Sequence, residues 1–552
     1  QGNETSSNIA FKVTSYRQSG TTQQAVPWKI SKYEEWDYTL NGGTGGWVDR
    51  GTTKPDWLGD LTDHGNGGTA AEVGNTAVKP APVTDLLAAR NAALKSATAL
   101  GAAGSPYDLS TKGGSVARST ANCYVISAPG HYEIPLVYGN AIKDGINNPS
   151  SYQTSNSGAS ILQHFKDHAD KDITDPWITQ TNGGANVPNG AKLVWADESG
   201  LATNLAVTGS GTNAFVQFEV PAANIKNGNA VIAVTKGTTV VWSWHLWFIQ
   251  DDALNTVTCT NFQNHEYKFT QEPLGMKYTV WNGTSYSAPR SIRVKVEQTI
   301  ANGGEKKFGY ITITQNSNTV RQGYSTFYQF GRKDALPGKD AIAEGNYSFD
   351  NTTGSHSIGD AIQHPENMFS GGTSFGWGQD SYDNLWSMDN TVESYNDNAV
   401  VKTIYDPCPA GFKMPASNAF TGFTTTGEYT YTQSEFNING AWDYGYNFNN
   451  KISHPDATVW FPASGYRLNF DGSLNDVGSS GYYWSAIPGE PGDARYMNFN
   501  QVIVNPKAMY NRSLGFSVRP VADYKTRVTP KLPGSSVEAW QEEELDGGQG
   551  HH

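Results

Sequence analysis

Basic charge is scarce in this chain: 39 Lys and Arg stand against 52 Asp and Glu over 552 residues, a formal net charge of −13. Binding a phosphate backbone needs a concentrated basic face, and scattered cations argue against nucleic acid as a partner. Cysteine is scarcer still. The three thiols, Cys123, Cys259 and Cys408, are far apart and odd in number. That spacing excludes a disulfide framework and a Cys-x-x-Cys zinc knuckle, and leaves room for one disulfide at most. No apolar run reaches the roughly 18 residues that span a bilayer as a helix. The opening "QGNETSSNIA" is polar, so any export signal is expected to have been removed before it.

What the chain does have is glycine, 59 residues of it, and 12% aromatics, while charged residues make up only 16%. Tight turns consume Gly and Asn, and large rings fill thin sandwich cores, so the composition predicts a mainly β chain of several modules with few helices. At roughly 100 to 200 residues per domain, the length asks for about three.

Period-two stretches follow one another from the start: "IAFKVTSYR", "VPWKISKY", then "AFVQFEVP", "NAVIAVTKGTTVVWSWHLWFI" and "RSIRVKVEQTI". Each reads as a strand with alternating faces. One segment, "VTDLLAARNAALKSATAL", reads as a helix started by Thr84 or Asp85 and ended at Gly101, a connector with little to bury. In "VVWSWHLWFI" both faces are apolar, which predicts a strand covered on both sides, with His245 a hydrogen-bonded core residue. After residue 326 the pattern becomes irregular and rich in Trp, Tyr and Asn, the profile of long ordered loops held by ring anchors and side chain to backbone hydrogen bonds. These changes divide the chain into 1–80, a connector 81–114, then 115–325, 326–523 and an acidic tail 524–552.

The stretch "YDPCPAGFKMP" sets Cys408 between Pro407 and Pro409. No His or Lys stands beside the thiol to lower its pKa, so the residue reads as a small buried group at a rigid turn rather than a nucleophile. His356, His364 and His454 form no recognisable constellation with it.

Six motifs in order, "TANCYVISAPGHYEIPLVYGNAI", "GNAVIAVTKGTTVVWSWHLWF", "STFYQFGRKDALPG", "YDPCPAGFKMP", "VWFPASGYRLNFDGSLNDVGSSGYYWSA" and "NRSLGFSVRPV", resemble the fimbrillin-like surface proteins of Bacteroidetes. The C-terminal part of those proteins resembles the Fibrobacter succinogenes major paralogous domain. Phe412 and Met414 stand where that family's signature commonly has Trp and Val. The resemblance implies an Ig-like β-sandwich over 1–80, fimbrillin-type sandwiches over 115–325, and a C-type-lectin-like α+β domain over 326–523. It also raises the copper oxidases of the broader fold, which need two cysteines where this region has Cys408 alone.

Lectin-type recognition stacks aromatic faces on sugar C–H surfaces and bonds hydroxyls through Asn and Asp. The expected ligand-binding residues are therefore Trp377, Asp380, Asp383, Asn384 and Trp386 in "SFGWGQDSYDNLW", and Trp442, Asp443, Tyr444 and Tyr446 in "NGAWDYGYNFNN". No catalytic residue, metal ligand or cofactor is assigned. Calcium is the one ion that lectin chemistry would admit, yet "NFDGSLNDVG", with Asp471 and Asp476, lacks the spaced ligands of a calcium loop and reads as a turn.

The expected function is a non-enzymatic adhesin at the cell surface, in the outer membrane or in a fimbrium as a tip or accessory subunit, or else a surface lipoprotein. Its partners would be glycans or surface proteins, and neighbouring subunits joined by strand donation. Two alternatives stand beside it: a polysaccharide-acting enzyme with carboxylates ~5 to 10 Å apart, and a structural component of an outer-membrane assembly.

Overall fold

A computed structural model describes residues 6–286, 288–301, 305–352, 356–370, 377, 382–528 and 541–545. The chain is mainly β, with 43% strand and 7% helix. It divides into two compact units, Gln1–Ala88 with Val280–Arg321, and Ala89–Thr279 with Gln322–His552.

In the first unit, Trp28–Asp37 and Phe308–Gln315 flank the strand Arg290–Gln298, each antiparallel to it. A second sheet runs Thr22–Ala25, Ser6–Ser19, Gly68–Val78. The alternation in "RSIRVKVEQ" sends Ile292 and Val294 into a core with Tyr33, Trp57, Leu58, Val78 and Ile313. Phe11, Val13, Trp28 and Val296 extend that core, so the two sheets share one apolar interior,. Phe308–Gln315 is an edge strand.

The chain passes from the first unit to the second between Arg321 and Gln322, close to the expected boundary at 325, but the segments on either side are grouped differently. Residues 280–321 complete the first unit, and 89–279 belong with everything after 322. The change of character at 326 marks irregular loops, not a new compact body. Within the second unit, Thr239–Phe248 lies between Gly228–Lys236 and Cys123–Ile126 in a five-stranded sheet, and all of it from Val240 onward is buried. His245 there is 2% exposed. Its Nε2 lies 2.7 Å from Asn229 Oδ1 and its Nδ1 3.4 Å from the Tyr328 hydroxyl. Burial drives its pKa down to about 3, so it sits neutral, a donor to Asn229 and an acceptor from Tyr328.

The expected helix is shorter than its pattern, Leu86–Ser96. Asp85 caps it, accepting the Ala88 N–H at 3.0 Å,. Only Leu94 is buried, and Lys95 donates to the carbonyls of Ala223 and Ile225.

Four motifs that are far apart in sequence meet in the second unit. Tyr328 and Phe516 exchange backbone hydrogen bonds, Trp484 N–H donates to Ser517 O, and the Trp484 indole donates to Tyr328 O at 2.7 Å. Val521–Ala522 pairs with Phe412–Lys413, which places the end of "GFSVRPV" against the end of the Cys408 loop.

Candidate functional site

The 405–415 loop is held from all sides by side chains remote in sequence. Asn122, 2% exposed, donates its amide to Ile404 O at 2.7 Å and to Asp406 O at 2.9 Å, and accepts the Trp242 indole N–H at 3.1 Å. The Trp386 indole donates to Tyr405 O, and the Tyr405 hydroxyl both donates to Lys166 O and accepts from Lys166 N–H. Inside the loop the Asp406 carboxyl accepts the N–H groups of Cys408 and Met414 at 2.7 and 3.0 Å. Burial pushes that carboxyl above its ordinary pKa, opposed by Lys402 and by these two bonds. Gly411 turns the chain at φ +83°, a left-handed conformation that favours glycine,.

Cys408 is fully buried, and burial, followed by the Asp406 charge, raises its thiol far above the ordinary range. Its sulfur faces Met414 Sδ at 3.9 Å. Cys259 is pushed up to about 12 and Cys123 higher, in both cases chiefly by burial. All three are free thiols.

Lys402 lies beneath the loop, 7% exposed, and donates Nζ to the carbonyls of Cys408 and Pro409 at 3.0 and 2.9 Å. Lys413, 2% exposed, donates to Val400 O at 2.7 Å and lies 3.5 Å from Asp523. Lys143 faces the other oxygen of Asp523 at 3.7 Å. Two adjoining cavities of about 300 and 290 Å³ share Asn140, Lys143, Lys402 and Asp523 in their walls. Burial first, then the neighbouring ammonium groups, lower the Lys143 pKa, with Asp523 and Asp144 opposing.

The nine residues expected to bind ligand do not form one surface. Trp377 and Trp386 are buried, their indoles donating to Phe330 O and Tyr405 O. Asn384 is fully buried and bonds both backbone groups of Leu162 at 2.9 Å, as a neighbouring strand would. Asp383 accepts from the buried Arg512 guanidinium at 2.7 Å. Asp380 lies outside the described residues. Trp442 is half-buried, edge-on to Tyr446 at 4.8 Å, and Tyr446 is itself 2% exposed. The Asp443 carbonyl accepts the Trp460 indole N–H. Tyr444 alone among the described members of the set is exposed. The turn at Asp471 is closed by its own carboxylate, which accepts the Ser473 N–H and hydroxyl, while Asp476 accepts the Tyr482 hydroxyl.

The exposed rings lie elsewhere. Tyr429 and Tyr431 are 47% and 75% exposed with centroids 6.1 Å apart. Between them Thr430 is buried, exchanges both backbone hydrogen bonds with Val504, and donates its hydroxyl to Glu435. That lock fixes the alternation, so both rings point outward from a rigid backbone. Phe262, also exposed, lies over Gly427, where a Cβ would stand 2.4 Å from its ring. Glu428 pairs with Lys507 at 2.8 Å beside them.

Residues 426–521 match a family model described as a domain of unknown function (DUF8237). No curated protein and no solved structure matches the chain. The Tyr429 and Tyr431 pair lies inside the matched segment, whereas every residue lining the two lysine cavities lies outside it.

Both features escape a reading of residue types. The period-two "YTY" in "GEYTYTQ" was the available signal for the tyrosine pair. Nothing local marks Lys143, Lys402 and Lys413 as neighbours. The same holds for the buried guanidiniums of Arg467, Arg512 and Arg519, each of which donates to backbone carbonyls.

Proposed function

We propose that this chain is a non-enzymatic binding protein of the cell surface, outer membrane or fimbrium, a tip or accessory adhesin or surface lipoprotein, whose lectin-like C-terminal region grips glycan or protein ligands. The observation that carries the reading is the Tyr429 and Tyr431 pair. Two rings on a backbone locked at Thr430 offer stacking faces without an ordering cost, and Glu428 and Lys507 stand beside them as acceptor and donor for hydroxyls,. A lectin-like kind for residues 326–523 is supported by the way "GFSVRPV" lies beside "YYWSA" in the strand Ser480–Pro488, bridged at Tyr483 and Ser517, with Ser517 N–H donating to Tyr482 O and Trp484 N–H to Ser517 O.

Linkage to neighbouring subunits by strand addition is supported by the first unit. The edge strand Phe308–Gln315 exposes Phe308 and Tyr310 beside a groove of about 300 Å³, with Trp28 and Val296 in its walls. An apolar edge of this kind is a template for another strand.

The ligand test uses the whole chain, because 326–523 interleaves with 89–279 in one unit. On a glycan array the protein is expected to retain a defined set of sugars, and Tyr431→Ala to lose at least tenfold in affinity while Tm stays unchanged. Release of new reducing ends from bound polysaccharide would replace this reading with the enzymatic one. Undiminished binding by Tyr431→Ala would move the ligand away from the rings.

A further inference from the structure

The tyrosine pair stands at one edge of a sheet face that continues beyond it. The strands Ser480–Pro488, Asp493–Asn500 and Val504–Asn511 lie side by side in that order, antiparallel. The antiparallel bridge between Thr430 and Val504 sets residues 429–431 beside the third of them. Register then sorts the side chains. Phe499, Val504 and Thr430 are aligned across the sheet and all are buried. The row next to theirs must therefore look the other way, outward. In that row Tyr482 is paired with Asn498 and Asn498 with Asn505, and the bridge at Thr430 brings Tyr429 opposite Asn505. Tyr482, Asn498 and Asn505 are half-buried, and Tyr429 is exposed.

The row has a defined length and chemistry. Three strand spacings of about 4.8 Å separate Tyr482 from Tyr429, about 14 Å in all, more than one sugar ring covers. Tyr482 is backed by Phe516, stacked at 5.0 Å, and its hydroxyl is anchored on Asp476. Asn498 donates its amide N–H to Gly481 O at 3.2 Å, and Asn505 Oδ1 accepts the Lys507 N–H at 3.0 Å. Those bonds orient both amides. They leave the Asn498 oxygen as an acceptor and the Asn505 NH2 as a donor, neither with a partner among the described residues. Glu428 and Lys507, beside the row, neutralise each other. Rings at both ends suit the C–H faces of sugars, and the amides between them suit hydroxyls, which both donate and accept. The core of a protein interface is apolar, and a row with two amides at its centre does not supply one.

We propose that this face binds the interior of a linear neutral polysaccharide, laid across the strands from the Tyr429 and Tyr431 pair, over Asn505 and Asn498, to Tyr482. The proposal rests on the reading of the tyrosine pair as a glycan site, and it gives that site its ligand class: several consecutive uncharged sugars rather than a terminal residue.

An array of linear neutral oligosaccharides of glucose, mannose, xylose and galactose, each from the monosaccharide to the hexasaccharide, tests it with the full chain. At least one series is expected to be retained, its hexasaccharide at least tenfold more tightly than its disaccharide. The double variant Asn498→Ala/Asn505→Ala is expected to lose at least tenfold on that hexasaccharide and to hold the disaccharide as before, whereas Tyr431→Ala weakens every length. A merely structural role for the two amides would move both lengths together or neither. Affinity that does not rise with length, or a hexasaccharide held undiminished by the double variant, would overturn the extended face, and the glycan reading would stand as long as retention still needs Tyr431. Tyr431-dependent retention of acidic glycans alone would likewise remove the neutral chain and keep the glycan site. Retention of no glycan, or capture of a protein through Tyr431 with no glycan bound, would overturn both.

Discussion

The strand Arg290–Gln298 in the first unit and the loop 405–415 in the second both run through buried surroundings, yet they are held by opposite means. Arg290–Gln298 is bonded along both edges by backbone ladders. Its outward side chains, Arg293 over the Trp47 and Tyr310 rings and Lys295 over Phe308, only decorate a structure the backbone already fixes. The loop has a ladder at Phe412–Lys413 alone. Elsewhere, beside single backbone bonds such as those from Asp523 and Ala486, its carbonyls and N–H groups are met by the side chains of Asn122, Trp386, Lys402 and Asp406. A polar side chain on the ladder faces water that can replace it. A polar side chain under the loop has no such substitute, and its removal strands buried partners.

That contrast is broken most directly at Asn122. Asn122→Leu keeps the size of the side chain and orphans Ile404 O, Asp406 O and the Trp242 indole N–H at once. At roughly 1 to 3 kcal/mol for each buried unsatisfied group, the expected loss is about 3 kcal/mol or more in denaturant unfolding. A loss below about 1 kcal/mol would show that water reaches the loop and that side chains are not its scaffold.

The same contrast explains what the sequence made legible. Alternation in "IAFKVTSYR", "VPWKISKY" and "RSIRVKVEQ" reads as strand because one face of each is buried, and all three are strands. The pairing partner is not written there. Tyr33 meets Val294 across the ladder, and nothing near either residue points to the other, so the first unit was expected to end near residue 80. In the second unit the chemistry of the rings was readable and their direction was not. Trp386 and Asn384 carry the groups a sugar site needs, and the interior uses those same groups to bond Tyr405 O and Leu162. An amphipathic ring serves a core or a surface equally well. The burial of Cys408 was legible because two flanking prolines in a short stretch pointed to a small group at a rigid turn, and the thiol is fully buried,.

A smaller and pH-dependent effect comes from the second unit's buried polar chain, Asp197 to Asn229 to His245. Burial lowers the His245 pKa from 6.5 to about 3. The unfolded chain therefore binds a proton that the folded chain refuses between those values. Stability from neutral His245 is complete above pH 6.5 and is lost as pH falls toward 3. Asp197 runs the other way. Burial, opposed by Lys277, raises it from 3.8 to about 6, so its contribution improves as pH falls from 6 to 4 and partly offsets the histidine. His245→Gln removes the first effect and keeps the second. The Tm advantage of the native chain over this variant is expected to shrink steadily from pH 6.5 to pH 3. An advantage that stays constant across that range would place the histidine's charge outside the stability of the fold.

The smallest effect is expected on the ladder itself. Ser291 and Thr314 are directly opposite on Arg290–Gln298 and Phe308–Gln315, with hydroxyls 2.8 Å apart on the face away from the core. Ser291→Ala removes one hydroxyl and leaves Thr314, which is exposed, to bond water instead. The backbone bonds on either side persist, and the Ile292 and Val294 burial is untouched. The expected change is within about 0.5 kcal/mol, the range of surface substitutions that touch no cap, core or buried partner. A loss several times larger, approaching that of Asn122→Leu, would mean that the first unit also depends on side-chain hydrogen bonds for its register, and the distinction between a ladder-held and a side-chain-held region would no longer separate these two parts of the chain.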